Sequence, residues 1–231
     1  MNLALFDFDG RITRSDTFSR FIRFAVRPSR IAAGRVLLGP VVLGYRLHLI
    51  SASQARRAVA RFGFRGEHTG TVRRLGIEYA TNVLPGTVRR GALKRIAWHT
   101  RQGDEVVVVS ASLGVYVRPW CEGLGVHSIC TELEEQDGRL TGRYRCGDCT
   151  GAEKLRRILA EFPPDRYSLI YGYGDTEEDR EMLELAHRKY YRWREIGDWA
   201  EAVARDRPAN RRLHSTAART DAQRPRVSRD R

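Results

Sequence analysis

Short apolar runs alternate along this chain with longer stretches of helical spacing. The runs at Leu3–Phe6, Glu105–Val109 and Ser168–Gly172 are apolar or β-branched and end at polar or glycine residues, which predicts buried strands. The interval 16–82 places apolar residues at helical spacing, and the break at 84–86 ends that pattern. Strands that alternate with helices predict an α/β fold, in which helices cover both faces of a parallel sheet.

The rest of the sequence continues this alternation. Further helices are predicted over Arg89–Arg101, Glu153–Phe162 and Glu177–His187. Paired strands are predicted within Glu132–Tyr144, because Asp137-Gly138 is a turn signal between two extended stretches. With 231 residues, 42% of them hydrophobic, the chain suffices for one large domain or for a core with an inserted module.

The net charge of +13 is partly concentrated at the C-terminal end. Residues 205–231 contain nine arginines and three aspartates, a balance of +6, and lack apolar periodicity, which predicts a disordered basic tail. Such a tail is either a solvated end or a contact to nucleic acid or anionic lipid. The remaining +7 is expected to be spread over the body, where it indicates an anionic substrate or arginine-rich codon usage.

Two features bear on localisation. An acidic motif occupies the N-terminal region where a signal peptide would need a basic start and an apolar stretch. The four cysteines are too few for a disulfide framework in a chain of this size, so we expect reduced thiols. Both features predict a cytoplasmic protein.

Polar side chains follow the predicted strands at one edge of the sheet. Parallel sheets bind ligands beyond the carboxyl ends of their strands. Two carboxylates at alternate positions of an extended chain point to the same side and repel each other, and a divalent cation with oxygen ligands would offset that repulsion. The residues expected to meet there are Asp7, Asp9, Ser110, Lys154, Asp175 and Asp179.

These residues lie in four segments that resemble the motifs of the haloacid dehalogenase (HAD) superfamily of phosphatases. The segments are Asp7-Phe8-Asp9-Gly10, the run ending at Ser110, Lys154 in Gly-Ala-Glu-Lys-Leu, and Gly174 to Asp179. Their spacing is similar to that of the phosphoserine-phosphatase-like subfamily and covers residues 2–199. The resemblance implies a Rossmannoid parallel-sheet core at 1–14 and 84–204, a small helical cap at 15–83 and a tail at 205–231.

The resemblance also implies a magnesium-dependent phosphomonoester hydrolase. Asp7 would be the nucleophile that forms an aspartyl phosphate, and Asp9 would act as general acid and then as general base. Magnesium would be held by the Asp7 side chain, the Asp9 backbone carbonyl and Asp175. Asp179 would orient the metal shell or Lys154.

Substrate contacts follow from the same resemblance. Ser110 and Lys154 would bind the phosphoryl oxygens, and the backbone after Gly10 would donate to the phosphate. Asp16 stands where phosphoserine phosphatases are expected to place a glutamate that binds the substrate amine. We favour N-capping of the helix that begins at Thr17 as the interpretation of Asp16.

Arg11 departs from the family pattern. Family members usually carry threonine or another small residue directly after the glycine of the first motif. The Arg11 guanidinium is expected to pair with Asp9 or Asp175, to bind the anion of the substrate, to block the site, or to depress the acid strength that Asp9 needs. Activity is therefore a weaker expectation than the fold.

An uncharged apolar run at 36–45 lies between Arg35 and Arg46. It is too short to span a bilayer, which requires about 20 apolar residues. Packing against neighbouring helices is the favoured interpretation, and peripheral contact with an anionic membrane is the alternative.

The sequence indicates two alternative functions. The first is a phosphatase that acts on a phosphorylated small molecule or phospholipid, either a lipid-linked phosphate or a phosphoserine-like metabolite. The second is a catalytically weak protein of the same fold that binds anionic lipid or nucleic acid through its basic surface. Nucleic acid is the less favoured partner.

Overall fold

The computed structural model describes residues 1–203. The chain divides into two compact units, Met1–Glu195 and Ile196–Arg231. The second unit is described only over residues 196–203, of which 199–203 are helical. The predicted basic tail at 205–231 lies outside the described residues.

A six-stranded, mostly parallel sheet forms the core of the fold. Its strands lie in the order β3 (His127–Thr131), β2 (Glu105–Leu113), β1 (Leu3–Phe6), β6 (Ile170–Gly174), β7 (Arg188–Tyr191) and β8 (Arg194–Ile196). The first five of these strands pair in parallel. A separate antiparallel pair consists of β4 (Leu133–Gln136) and β5 (Arg139–Tyr144). The α/β fold class predicted from the alternation is confirmed.

The first five α-helices of the chain lie between β1 and β2, and we call them the cap helices. They are α1 (Thr17–Ala25), α2 (Pro28–Leu37), α3 (Gly39–Arg46), α4 (Ala52–Phe64) and α5 (Thr69–Asn82). Asp16 caps α1, because its Oδ1 accepts a hydrogen bond from the Ser19 amide at 3.3 Å. Ser51 and Gln54 form a reciprocal capping box at the start of α4. Local polar residues thus set where these two helices begin.

The remaining helices cover the sheet. They are α6 (Arg90–Arg101), α7 (Gly114–Leu124), α8 (Gly151–Glu161) and α9 (Arg180–Leu185). Successive strand residues point to opposite faces, so β1 contributes Leu3 and Leu5 to one buried cluster and Ala4 and Phe6 to another. Both faces of the sheet are therefore buried, as the apolar runs predict.

Two boundaries differ from the sequence-based expectation. Strand β2 continues through Ser110 to Leu113, because a register shift against β3 lets it extend past the predicted end. The helix predicted over Glu177–His187 begins as a 3₁₀ turn at Glu177–Asp179, and α9 ends at Leu185. The turn forms because the Asp179 side chain bonds the backbone that precedes it.

The sequence predicts reduced cysteines and an apolar run that is too short to cross a bilayer. All four cysteines are free thiols. Within residues 1–203, every helix is too short or too polar to cross a membrane.

Candidate active site

The carboxyl end of β1 places Asp7 at the edge of the sheet. Strand β1 pairs in parallel with β2 on one side and β6 on the other, so Asp7 lies between the segments that carry Ser110 and Asp175. The Asp7 amide donates to the Tyr173 carbonyl at 2.8 Å, which continues the β6 pairing up to the site. Ser110 and Asp7 are both buried.

Three carboxylates meet beside a buried lysine. One carboxylate oxygen from each of Asp7, Asp175 and Asp179 lies within 4.8 Å of the other two. The Lys154 Nζ donates to Asp7 Oδ1 at 2.9 Å and to Asp179 Oδ1 at 2.5 Å. Burial disfavours the charge on Lys154, but the two carboxylates outweigh that effect and raise its pKa. Lys154 therefore stays protonated and holds two of the acids in place.

The three carboxylates differ in their electrostatics. Burial raises the pKa of Asp7, Asp179 raises it further, and Lys154 opposes the increase. Burial also raises the pKa of Asp175 to about 6, while the charge of Arg11 acts to lower it. Burial alone would raise the pKa of Asp179, but Lys154 and backbone donors lower it below its usual value. Asp179 is thus the carboxylate most firmly held in its charged form.

Donors occupy both oxygens of Asp179. Its Oδ1 accepts from Lys154, and its Oδ2 accepts from the backbone amides of Asp175 and Thr176 at 3.0 and 3.1 Å. The Thr176 hydroxyl also donates to Oδ2 at 3.1 Å. This geometry suits a side chain that orients Lys154 better than one that binds a metal directly.

The acidic cluster fits a magnesium ion. Asp175 Oδ1 is buried and has no hydrogen-bond partner. An unpaired buried carboxylate oxygen beside two further carboxylates is costly unless a cation binds it. Oxygen ligands of this kind are those that magnesium prefers. Asp7 and Asp175 are the side chains that would hold the ion.

The Asp9 carboxylate is held by two elements that the motif pattern did not identify. Its Oδ1 accepts from the Thr17 amide at 2.7 Å, at the start of α1. Its Oδ2 accepts from the Ser112 hydroxyl, near the end of β2. Burial raises the pKa of Asp9, and these two donors act against the increase. The side chain of Asp9 is not among the three that meet, so its expected metal contact through the backbone carbonyl stays a prediction.

Gly10 allows the chain to turn closely against the acidic cluster. Its φ is +77°, which favours glycine, and a Cβ at this position would collide with the Asp175 carboxylate. The wide turn at Phe8–Ile12 therefore depends on this residue. Backbone donation to a phosphate at this turn, which the motif implies, stays a prediction.

A cavity of about 420 Å³ adjoins the acidic cluster. Its polar floor includes Asp7, Asp9 and Ser110, and the cap helices supply much of an apolar wall, formed by Phe18, Val41, Val42, Tyr45, Ala55 and Val59. Among the described residues that line the cavity, the one cation is Arg56, on α4. Arg56 Nη2 lies 3.0 Å from Asp148 and 3.0 Å from Glu178, so carboxylates already pair its charge. Asp16 lines the cavity as well.

The Arg11 side chain does not line this cavity. It is only 1% exposed, its Nη2 donates to the Gly174 carbonyl, and its guanidinium lies 5.1 Å from the Trp193 ring centroid. Its charge opposes the increase in the pKa of Asp175 that burial causes. The structure therefore places the guanidinium inside the fold, away from the space that a substrate would occupy. Neither binding of the substrate's anion nor blockage of the site is the arrangement that this geometry favours.

Known proteins resemble this chain in sequence and in fold. A family model described as haloacid dehalogenase-like hydrolase matches residues 4–184. The protein CicA of Caulobacter vibrioides is 31% identical over 192 residues, or 82% of this chain and 85% of CicA. A Bordetella pertussis protein of unknown function has a TM-score of 0.72 and 23% identity, with 90% of this chain and 96% of that chain covered. A substrate-bound phosphoserine phosphatase has a TM-score of 0.57 and 20% identity over 82% and 85% of the two chains, which shows a shared fold.

Proposed function

Because the chain belongs to the haloacid dehalogenase-like hydrolase family and has the fold of a phosphoserine phosphatase, we propose that it is a magnesium-dependent phosphomonoester hydrolase. One observation carries the proposal. A buried lysine bridges Asp7 and Asp179 beside the unpaired Asp175 oxygen, next to a cavity large enough for a substrate.

The proposed reaction has two displacement steps. In the first, the Asp7 carboxylate attacks phosphorus, the bond from phosphorus to the ester oxygen breaks, and Asp9 gives its proton to the departing alcohol. In the second, water attacks the aspartyl phosphate, Asp9 accepts a proton from that water, and inorganic phosphate leaves as the Asp7 carboxylate is restored. Asp9 thus ends the cycle protonated, as it began.

Neighbouring groups would stabilise the phosphoryl charge. The Ser110 Oγ accepts from the Ser112 amide at 3.0 Å, which leaves the Ser110 hydroxyl proton for a phosphoryl oxygen. Lys154 would offset the negative charge that develops next to Asp7. Magnesium bound by Asp7 and Asp175 would supply the positive charge that lets an anionic phosphate approach two carboxylates.

The cavity favours a phosphate on a bulky, lipid-linked group over a phosphoserine-like metabolite. Its cap wall is largely apolar. The carboxylate of phosphoserine would need a cation, and among the described lining residues the one cation, Arg56, already pairs with two acids. Asp16 Oδ1 is engaged as the cap of α1, which reduces its capacity to bind a substrate amine.

Phosphate release from three substrates tests the proposal. The panel contains a generic aryl phosphate, phosphoserine and phosphatidylglycerophosphate, each assayed with and without magnesium. The variants are Asp7→Asn and a matched control, Asp165→Asn, which alters an exposed carboxylate. We expect magnesium-dependent turnover that falls at least about a thousandfold in Asp7→Asn and persists in Asp165→Asn.

Each alternative has its own signature in this assay. Full turnover in Asp7→Asn would show that Asp7 is not the nucleophile. Turnover unaffected by magnesium would show that the reaction does not depend on this ion. No turnover on any member of the panel would favour the catalytically weak binding protein. A preference for phosphoserine would contradict the substrate argument while leaving the hydrolase in place.

A further inference from the structure

Charge is divided unequally between the cap helices and the rest of the chain. Residues 17–66 contain ten arginines and no lysine, aspartate or glutamate. Outside this segment and residues 205–231, the chain has 22 basic and 25 acidic residues. Outside residues 205–231, the excess of positive charge is therefore confined to one fifty-residue segment. It is not spread along the body of the chain, as the composition suggested.

Most of this charge is available at the surface. Eight of the ten arginines are exposed. The other two are engaged elsewhere, since Arg30 pairs with Glu67 at 2.9 Å and Arg56 pairs with Asp148 and Glu178. Of the eight exposed arginines, Arg27 lies 3.8 Å from Glu67. Exposed arginines in a segment that itself contains no acid attract an anionic partner over a distance set by salt screening.

The same segment exposes large apolar side chains. Val36, Leu37, Leu43, Leu47 and Leu49 are 78%, 65%, 56%, 57% and 76% exposed, and we call these five residues the cap patch. None of the eight residues of α3 is buried, although the helix is mostly apolar. Packing against neighbouring helices, the interpretation favoured from the sequence, therefore accounts for only part of this run. Exposed apolar side chains concentrated in one short segment are typical of an interaction surface.

We propose that the cap patch docks on a bilayer that contains anionic lipids. Leucine and valine side chains would enter the region between headgroups and acyl chains, while the flanking Arg35 and Arg46 would bind lipid phosphates. A nucleic acid would satisfy the arginines but leave the apolar side chains without a partner. A second copy would place two strongly cationic segments against each other. The combination of the two features favours the bilayer.

The patch and the cavity share α3. Val41, Val42 and Tyr45 line the cavity, whereas Leu43 of the same helix belongs to the cap patch. A docked bilayer would therefore lie against the helix that forms part of the cavity wall. The docking surface stands independently of the proposed hydrolysis, because vesicle binding is measured without turnover.

Vesicle binding of the full chain tests this surface. The probes are phosphatidylcholine vesicles and vesicles of phosphatidylcholine mixed with phosphatidylglycerol, separated by sedimentation. The variant is L37Q/L43Q/L49Q, and the matched control is L93Q/L124Q/L159Q, which changes three exposed leucines on α6, α7 and α8. Both keep residues 205–231, so the difference between them reports the patch. Circular dichroism and urea denaturation verify that each variant folds.

We expect wild type and the control to bind the anionic vesicles, and L37Q/L43Q/L49Q to bind them at least about tenfold more weakly. The variant R35Q/R46Q should lose on the order of tenfold on anionic vesicles and little on neutral ones. Equal binding by L37Q/L43Q/L49Q and its control would overturn the proposal. So would a wild-type dimer, seen by sedimentation velocity without vesicles, that L37Q/L43Q/L49Q converts to a monomer.

Discussion

The floor of the cavity and the surface of the cap helices use charge in opposite ways. Asp7 of the floor is buried, and its side chain is joined through the buried Lys154 to the buried Asp179, although these two residues do not line the cavity. On the cap, eight arginines are exposed in a segment without an acid. Buried charges cost several kcal/mol unless they are paired, whereas exposed charges interact weakly with one another. The buried charges at the floor therefore hold one another in place, whereas the exposed arginines of the cap surface can interact with a partner.

The largest effect is expected where the floor loses its cation. Lys154→Met would leave Asp7 and Asp179 buried without their common donor. Breaking a buried ion pair on one side typically costs about 3 to 5 kcal/mol, so we expect a loss of this size in the free energy of unfolding. Urea denaturation measures it. Hydrolysis should be abolished as well.

The cap surface supplies the matched comparison for that variant. Arg46→Met removes one exposed cation from α3 and should change the free energy of unfolding by less than about 1 kcal/mol. If the two variants lost similar stability, the contrast between buried, paired charges at the floor and exposed charges on the cap surface would not hold.

A smaller effect is expected where the cap and the floor are joined. Arg56 of α4 pairs with Asp148, which is 1% exposed in its side chain, and with Glu178. We expect Arg56→Gln to cost about 1 to 3 kcal/mol and to raise KM more than it lowers kcat, because it loosens a cavity wall rather than the reacting groups. Arg57→Gln, which alters the exposed neighbour, is the control. A change in kcat alone would place Arg56 among the reacting groups instead.

Arg11 tests whether a cation inside the fold weakens metal binding. Its charge opposes the increase in the pKa of Asp175 that burial causes, so it should also oppose a divalent ion at the same carboxylate. We expect Arg11→Thr to bind magnesium about three- to tenfold more tightly in calorimetry at pH 8, where Asp175 is ionised. Arg14→Thr, on the exposed side of the same segment, should leave the affinity unchanged. Equal affinity in both variants would show that Arg11 has only a structural role.

The sequence predicts the floor well because strand ends are local features. Apolar runs locate the ends of β1, β2 and β6, and parallel pairing then brings Asp7, Ser110 and Asp175 to the same edge. The contacts of Thr17 and Ser112 with Asp9 are harder to predict. They depend on how α1 packs against a strand about a hundred residues later, and periodicity identifies the apolar face of a helix without naming the neighbour of that face.

The cap helices show a second limit of sequence-based prediction. An apolar run predicts burial only when another element is available to cover it, and α3 has too little cover. Net charge is similarly uninformative until it is divided by region, since the +13 of the whole chain hides a core with a small negative excess. In both cases the sequence predicts that the property, an apolar run or a positive charge, is present, but it does not predict where in the molecule that property lies.

The smallest effect concerns a buried histidine in the core. His99 lies between Asp104 and Tyr173, at 2.7 and 2.9 Å, and Arg95 also acts on it. Burial lowers the pKa of His99, Asp104 opposes that shift, and Arg95 reinforces it. Because the unfolded chain binds the proton more readily, this histidine stabilises the fold above its ordinary pKa of about 6.5, and that stability is lost as the pH falls below it.

We expect wild type to lose up to about 1.4 kcal/mol per pH unit more than His99→Gln as the pH falls below that value, because glutamine can hydrogen-bond but cannot titrate. Urea denaturation of both proteins between neutral and mildly acidic pH measures the difference. Parallel profiles for wild type and His99→Gln would show that the proton equilibrium of His99 is the same in the folded and unfolded chain.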